Sequence, residues 1–288
     1  MKLVKKIITL IFITTTLTAC DIKKENMEDI KIYYTTYPIK YILTKLYGDY
    51  STIQSIYPTG VNVDEYQLSE RKLIEYSKGD LFVFNSLDKD RDYAVKMINS
   101  NEKLKIIDSA LGMTAENNLK ELWLNPYNYL MMAENIKKGL NEYINNPYRN
   151  EEIENNFKKL EYDVSKLDSS ITEAINESKY KTIVTDSNAL KFLEKYGLTV
   201  ISLEETEDLS ENTINEVKNL ISTKNATYIY ILDKEPNNTI KKIQEETNVE
   251  VVKLNDMHSI DGNIENANED YITIMTENMN LIKRELYK

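Results

Sequence analysis

The segment IENNFKKLEYDVSKLDSSITEAI, residues 153–175, repeats apolar side chains at steps of three and four. This spacing places them on one face of an α-helix. The apolar positions are Ile153, Phe157, Leu160, Val164, Leu167, Ile171 and Ile175. The pattern predicts a helix of about 28 residues, roughly 40 Å long at 1.5 Å per residue. Such a helix is either part of a coiled coil or bundle, or a brace between two lobes.

Short β-rich runs alternate with helical patterns on both sides of this helix. Residues 30–35 (IKIYYT) and 80–85 (DLFVFN) are two such runs before it, and the alternation restarts with 181–185 (KTIVT) and 226–232 (ATYIYIL). Strands that alternate with helices indicate a parallel sheet covered on both faces. We therefore predict two α/β lobes separated by one long helix.

The start of the chain has the pattern of an export signal that ends in the only cysteine. Lysines precede an uncharged run at 7–19. This run of about 13 residues is shorter than the roughly 20 that a membrane span requires. The ending Leu17-Thr18-Ala19-Cys20 resembles the lipobox of bacterial lipoproteins, in which the cysteine is acylated. We expect export and a lipid anchor on Cys20 at the outer face of the cell membrane, the alternative being an ordinary signal peptide with an incidental cysteine.

These patterns divide the chain into five predicted parts. They are a lipoprotein signal peptide at 1–19, a tether at 20–29, an N-terminal α/β lobe at 30–125, a helical brace that includes the linking helix at 126–178, and a C-terminal α/β lobe at 179–288.

The composition argues against several classes of function. Acidic residues outnumber basic ones by 47 to 36, whereas a nucleic-acid partner requires clustered Lys and Arg. His258 is the only histidine, so any Ser-His-Asp or Cys-His catalytic set would depend on it. The sequence also contains no glycine-rich phosphate-binding motif. We therefore predict that the protein is not an enzyme and binds no nucleic acid.

Several short motifs follow the signal in a characteristic order. They are Tyr34-Thr35-Thr36-Tyr37-Pro38, Pro58-Thr59-Gly60 with Asp64-Glu65-Tyr66, the run at 79–85, Trp123-Leu124-Asn125-Pro126, Tyr196-Gly197-Leu198 and Asp270-Tyr271. Together they resemble the solute-binding lipoproteins of zinc and manganese ABC importers, a family that includes adhesion lipoproteins. The resemblance implies two mainly parallel four-stranded sheets flanked by helices and joined by one long rigid helix. It also implies an ABC permease and ATPase as partners, and we expect a monomer.

The resemblance implies a metal site between the lobes, and this chain departs from the family there. The family holds its ion with one side chain from each of four loops, usually histidines with an Asp or Glu. Those positions fall on Asp64, Glu121, Ser187 and Asn255. Carboxylate, amide and hydroxyl oxygens favour manganese, magnesium or calcium over zinc. We therefore expect a divalent metal ion as the transported ligand, with manganese favoured.

Three neighbouring residues are possible substitute ligands. Asp186 and Asp256 each lie one residue from a ligand position, and His258 lies three residues past Asn255. The competing interpretations are solvated or helix-capping aspartates and a surface loop histidine. We interpret the charged run at 88–92 (DKDRD) as a solvated face.

The predicted function is that of a lipid-anchored extracellular protein that captures a divalent cation in the interlobe cleft for an ABC importer. The alternative is a degenerate family member without metal binding that acts as a surface adhesion or interaction lipoprotein. An exported hydrolase is disfavoured because no nucleophile and base occur at a recognisable spacing. Convergence of the four oxygen side chains in an enclosed cleft would favour transport, whereas a cleft filled by side chains would favour the alternative.

Overall fold

The computed structural model describes residues 27–207, 209–232, 235–258 and 270–288. The predicted signal peptide and Cys20 lie outside these residues. Among the described helices, none is both long and apolar enough to cross a membrane.

The first sheet has four parallel strands in the order β2-β1-β3-β4. Its strands are β1 (Ile30–Tyr34), β2 (Ser51–Ser55), β3 (Leu81–Phe84) and β4 (Lys105–Asp108). The central strand β3 is buried along its whole length, as expected where helices cover both faces of a sheet. The chain leaves β1 toward β2 and then crosses back to β3. The point where the strand order reverses therefore lies between β1 and β3.

The second sheet repeats this topology. Its strands are β5 (Thr182–Thr185), β6 (Thr199–Ser202), β7 (Tyr228–Leu232) and β8 (Glu250–Leu254). They pair in parallel in the order β6-β5-β7-β8, so the order reverses between β5 and β7. The predicted α/β fold with two four-stranded, mainly parallel sheets is confirmed.

Helices flank and connect the two sheets. In chain order they are α1 (Tyr37–Tyr47), α2 (Glu70–Tyr76), α3 (Asp90–Ser100), α4 (Glu121–Leu124), α5 (Pro126–Tyr143), α6 (Pro147–Glu177), α7 (Glu211–Ser222), α8 (Asn238–Thr247) and α9 (Tyr271–Leu286). We call the first sheet with α1 to α3 the first lobe, and the second sheet with α7 to α9 the second lobe.

The long helix α6 is the element predicted at 153–175. Pro147 occupies its first turn, and the side chain of Asn146 caps it by accepting from the amides of Tyr148 and Arg149 at 3.1 and 3.4 Å. Every apolar residue of the predicted stripe is buried. The stripe packs into one hydrophobic core with residues of both sheets, including Ile32 and Ile183. The helix therefore joins the lobes through a shared core.

Each sheet also has a smaller core on its other face. In the first lobe this core combines β3 with α2 and α3, and in the second it combines β7 with α7 and α8. Burying a large apolar side chain stabilises the folded state by about 1.5–3 kcal/mol. The three cores therefore hold both sheets against their helices.

Two local predictions differ from the structure. The sequence at 189–196, which is followed by Gly197, predicts an α-helix, but the structure has a 3₁₀ helix at Asn188–Tyr196 that ends at Gly197 with a left-handed φ of 100°. The interpretation of residues 88–92 as a solvated face was wrong for Asp90. It is the first residue of α3 and is fully buried.

Candidate functional site

All predicted site residues within the described ranges follow the carboxyl ends of strands. Asp64 lies in the loop after β2 and Glu121 begins α4 after β4. Asp186 and Ser187 follow β5, whereas 255–258 follow β8. Open parallel sheets bind ligands at this edge.

Asp64 and His258 make a close contact between the two lobes. The Nε2 atom of His258 lies 3.0 Å from Oδ1 of Asp64. The contact is electrostatic rather than a well-aligned hydrogen bond, because neither ring nitrogen has a hydrogen-bond partner within the described residues. His258 is only 2% exposed, so the interpretation as a surface histidine was wrong.

The contact with His258 shifts the pKa of Asp64. It holds the pKa of this carboxyl at about 2, against an opposing effect of partial burial. The ammonium groups of Lys120 and Lys89 lower the pKa of Asp64 further. Asp64 is therefore an ionised carboxylate at neutral pH and faces an imidazole, a pair of groups that both bind divalent metals.

Packing against the only tryptophan fixes the ring of His258. The rings of Trp123 and His258 are stacked, with centroids 5.4 Å apart and planes 17° from parallel. Trp123 is fully buried, and its Nε1–H donates to the backbone oxygen of Asp256 at 2.7 Å. The indole in α4 therefore holds the loop after β8 in place.

Asn255 shapes the loop that carries His258. Its side-chain oxygen accepts from the amide of Met257 at 2.8 Å, and Met257 has a left-handed φ of 56°. The backbone of Asn255 forms two hydrogen bonds with the side chain of Asn278 in α9, at 2.9 and 2.7 Å. In this conformation the amide oxygen of Asn255 stabilises the turn that presents His258.

Asp256 is buried and forms an ion pair with Lys120. Its second carboxylate oxygen accepts from the backbone N–H of His258 at 3.0 Å. The interpretation of Asp256 as a solvated side chain was therefore wrong. Sequence reasoning also missed Lys120, because nothing in its local pattern indicates a partner in another loop.

The other three predicted residues have local partners. Glu121 is mostly buried, and its Oε2 accepts from the side chain of Asn117 at 3.1 Å. The hydroxyl of Ser187 caps the 3₁₀ helix by accepting from the amide of Ala189 at 3.2 Å. Asp186, also buried rather than solvated, accepts from the amide of Leu232 at 3.1 Å.

The structure thus brings together two pairs, Asp64 with His258 and Lys120 with Asp256. Within the described parts of the chain, no group of three or more His, Cys, Asp or Glu side chains is arranged to hold a metal ion. A bound ion would therefore require these side chains to move closer to one another.

Solved structures of other proteins have a similar fold. The solved structure of the Zn(II)-bound ZnuA-like domain of Streptococcus pneumoniae AdcA is 21% identical, with a TM-score of 0.73 over 90% of this chain and 100% of that domain. The zinc-binding lipoprotein AdcA of S. pneumoniae is 22% identical over 93% of this chain, which spans only 58% of the length of AdcA. The iron-binding protein YfeA of Yersinia pestis is 23% identical over 62% of this chain and 60% of YfeA.

A family model extends the likeness to nearly the whole described region. The model of ZnuA, the periplasmic zinc-uptake complex component A, matches residues 32–285. That range includes both sheets, the linking helix and each of the four loops discussed above. The chain therefore belongs to the ZnuA family of zinc-uptake complex component A proteins.

Proposed function

We propose that this chain is the solute-binding component of an ABC importer for divalent metal ions, and that it holds the ion in the cleft between its lobes. Membership of the ZnuA family supports this function. AdcA is named as zinc-binding and YfeA as iron-binding, which supports a divalent cation as cargo.

One observation carries the proposal, namely the contact of Asp64 with His258 between the lobes. Each residue lies beyond the carboxyl end of a parallel strand, and both side chains are metal-binding types. A cation between them would bind to both lobes at once. Its affinity would then depend on lobe closure, which suits a protein that must both capture and release its ion.

The predicted ligand set gives a preference among ions. Asp64, Glu121, Ser187 and Asn255 would supply oxygen, and His258 would supply one nitrogen. An oxygen-rich set with a single imidazole suits manganese better than zinc. Asp186 and Asp256 remain substitute ligands in this proposal. The protein performs no chemistry on the ion, so no catalytic residue is assigned.

Anchoring and partners complete the proposed role. An acylated Cys20 would hold the protein at the outer face of the cell membrane, and the tether would let a monomer reach its permease and ATPase. Mass spectrometry of membrane-extracted protein tests the anchor. A diacylglyceryl mass on Cys20 is expected, and a chain cleaved without lipid would contradict it.

The test of metal binding uses the purified, metal-stripped protein. Its single tryptophan is stacked on His258, so its fluorescence reports directly on this site. We expect manganese or zinc to change the emission and to raise the melting temperature. An ion at a free concentration of a hundred times its Kd stabilises the folded protein by about 2.7 kcal/mol. Asp64→Asn and His258→Gln should lose the response, whereas Asp49→Asn at an exposed position should keep it.

The same titration distinguishes a second candidate, a surface-interaction lipoprotein without metal binding. The observation that favours it is that Asp64 and Asp256 already have partners inside the protein, His258 and Lys120. No response of the wild-type protein to any divalent ion would support this candidate and contradict import.

A further inference from the structure

A second set of polar side chains lies at the reversal point of the first sheet. Thr35 directly follows β1, and Asp90 begins α3 after β3. Because β1 and β3 are the neighbours between which the strand order reverses, both residues lie beside the crevice where open parallel sheets bind ligands. Neither residue belongs to the four positions that the family resemblance implies.

Asp90 is a fully buried carboxylate that is only partly satisfied. Its Oδ1 accepts from the hydroxyl of Tyr57 at 2.8 Å, whereas its Oδ2 has no hydrogen-bond partner in the described structure. The hydroxyl oxygen of Thr35 is also fully buried without a partner of good geometry. A buried polar group without a hydrogen-bond partner destabilises the folded protein by about 1–3 kcal/mol, and by more if the group is charged. A native protein tolerates that cost where a water or ion is bound.

This pair lies beside the loop that carries Asp64. The ammonium of Lys89, the residue before Asp90, donates to the backbone oxygen of Asp64 at 3.1 Å, so the start of α3 is next to that loop. Oδ1 of Asp64 in turn lies 3.0 Å from Nε2 of His258, whose ring is 2% exposed. The unpaired oxygens of Asp90 and Thr35 therefore lie on the first-lobe side of the contact between Asp64 and His258.

The sign of the charge in this region selects a cation. Asp90 and Asp64 are both acidic, so an anion would be repelled. The ammonium of Lys89 donates to backbone oxygens of Val63, Asp64 and Tyr66 rather than to the carboxylate of Asp90. Lys89 instead holds the loop that presents Asp64 toward His258.

We propose that Asp90 and Thr35 are ligands of the captured divalent cation, together with His258 and Asp64, at the reversal point of the first sheet. This inference rests on the proposed metal-binding function and changes its ligand set. The described structure does not bring Asp90, Asp64 and His258 to coordination distance of a common point. Binding therefore draws Oδ2 of Asp90 and the imidazole of His258 toward the ion. Two carboxylates, one hydroxyl and one imidazole favour Mn(II) or Fe(II) over Zn(II).

The test compares Asp90→Asn with Asp92→Asn in the full-length protein. Asp92 lies on the same helix but is exposed, so it controls for the lost charge on α3. Free Mn(II) is counted by its electron paramagnetic resonance signal, and emission from Trp123 is followed in the same samples. We expect Asp90→Asn to weaken Mn(II) binding at least tenfold and Zn(II) binding less, whereas Asp92→Asn stays within twofold of wild type.

Two further measurements keep the outcome unambiguous. Thr35→Val preserves shape while removing the hydroxyl, and should weaken Mn(II) binding severalfold even if Asp90→Asn folds poorly. Circular dichroism melts establish which variants are folded. If the wild-type protein binds Mn(II) and both folded variants bind it with unchanged affinity, this inference is overturned. The proposed function would still stand, and Asp90 would be bound to water only. Absence of binding in the wild-type protein would overturn both.

Discussion

Lys120 and Asp256 form an ion pair that joins the residue before α4 to the loop after β8. The side chains are only 14% and 6% exposed. An ammonium group therefore already neutralises one carboxylate between the lobes. The same ammonium lowers the pKa of Asp64, so a single lysine acts on acidic residues of both lobes.

Removal of this lysine should destabilise the metal-free protein. Lys120→Met leaves Asp256 buried without its counter-ion, and breaking a buried pair in this way costs about 3 kcal/mol or more. The measurement is urea unfolding followed by the fluorescence of Trp123. The double variant Lys120→Met with Asp256→Asn should lose less than the sum of the single variants, whereas strictly additive losses would exclude a coupled pair. Lys138→Met, at a 69% exposed side chain, is the control and should change little.

The same substitution should increase affinity for a divalent cation. In Lys120→Met the charge of Asp256 is no longer neutralised, and the repulsion between the ammonium and the incoming ion is removed. We expect the dissociation constant to fall about tenfold, which corresponds to about 1.4 kcal/mol. Calorimetric titration of the folded variant checks this result. An unchanged or weaker affinity would mean that Lys120 does not compete with the ion.

Packing of tyrosines between α5 and α9 provides a prediction that is independent of metal. The rings of Tyr129 and Tyr271 are stacked with centroids 3.7 Å apart, and the hydroxyl of Tyr271 donates to the backbone oxygen of Trp123 at 2.7 Å. Tyr271→Phe keeps the ring but leaves that buried oxygen unpaired, so we expect a loss of about 1–2 kcal/mol in unfolding free energy. Tyr162→Phe, at an exposed position, should be neutral in the same denaturation experiment.

More of the fold than of the site could be predicted, because the patterns that indicate helices and strands involve residues close together in the sequence. The stripe from Ile153 to Ile175 and the β-rich runs depend on residues close in sequence, and both occur in the structure as predicted. The 3₁₀ helix at Asn188–Tyr196 shows the limit, since apolar spacing of three to four residues does not distinguish it from an α-helix.

The arrangement of the site depends on contacts between distant segments. Asp90 lies in a run of charges that is typical of a solvated face, yet a hydrogen bond from Tyr57 and the closeness of Thr35 keep it inside the first lobe. His258 is buried because it stacks on Trp123 in another loop. No local pattern contains these partners, so the sequence could not predict these contacts.

Close packing between α5 and β4 should make Gly139 intolerant of a side chain. A Cβ at this position would lie 2.5 Å from Cγ1 of Ile107, too close for any real contact. Glycine to alanine in a helix normally gains up to about 1 kcal/mol, but overpacking costs about 1–3 kcal/mol, so Gly139→Ala should be destabilising. Thermal melts of Gly139→Ala with and without Ile107→Ala test the cause. If the double variant is no more stable than the sum of the two single effects predicts, the steric explanation is contradicted.

Burial of Asp90 should make stability depend on pH in a defined window. Burial raises the pKa of this carboxyl from 3.8 to about 6, and Asp88 raises it too, whereas Tyr57, Thr35 and His258 oppose the shift. Because the folded-state pKa is above the unfolded one, the folded protein binds more protons between about pH 4 and 6. Stability attributable to Asp90 therefore falls as pH rises through that window, by up to about 3 kcal/mol, and stays constant above it.

Asp90→Asn removes this titration and provides the measurement. In urea unfolding of chelator-treated protein, the stability of Asp90→Asn relative to wild type should increase between pH 4 and 6 and level off by pH 7. Asp92→Asn, exposed on the same helix, should follow the wild-type pH profile. A difference between Asp90→Asn and wild type that stays constant from pH 4 to 7 would mean that Asp90 titrates as an ordinary exposed carboxyl. That result would also remove the unsatisfied buried charge on which its assignment as a cation ligand depends.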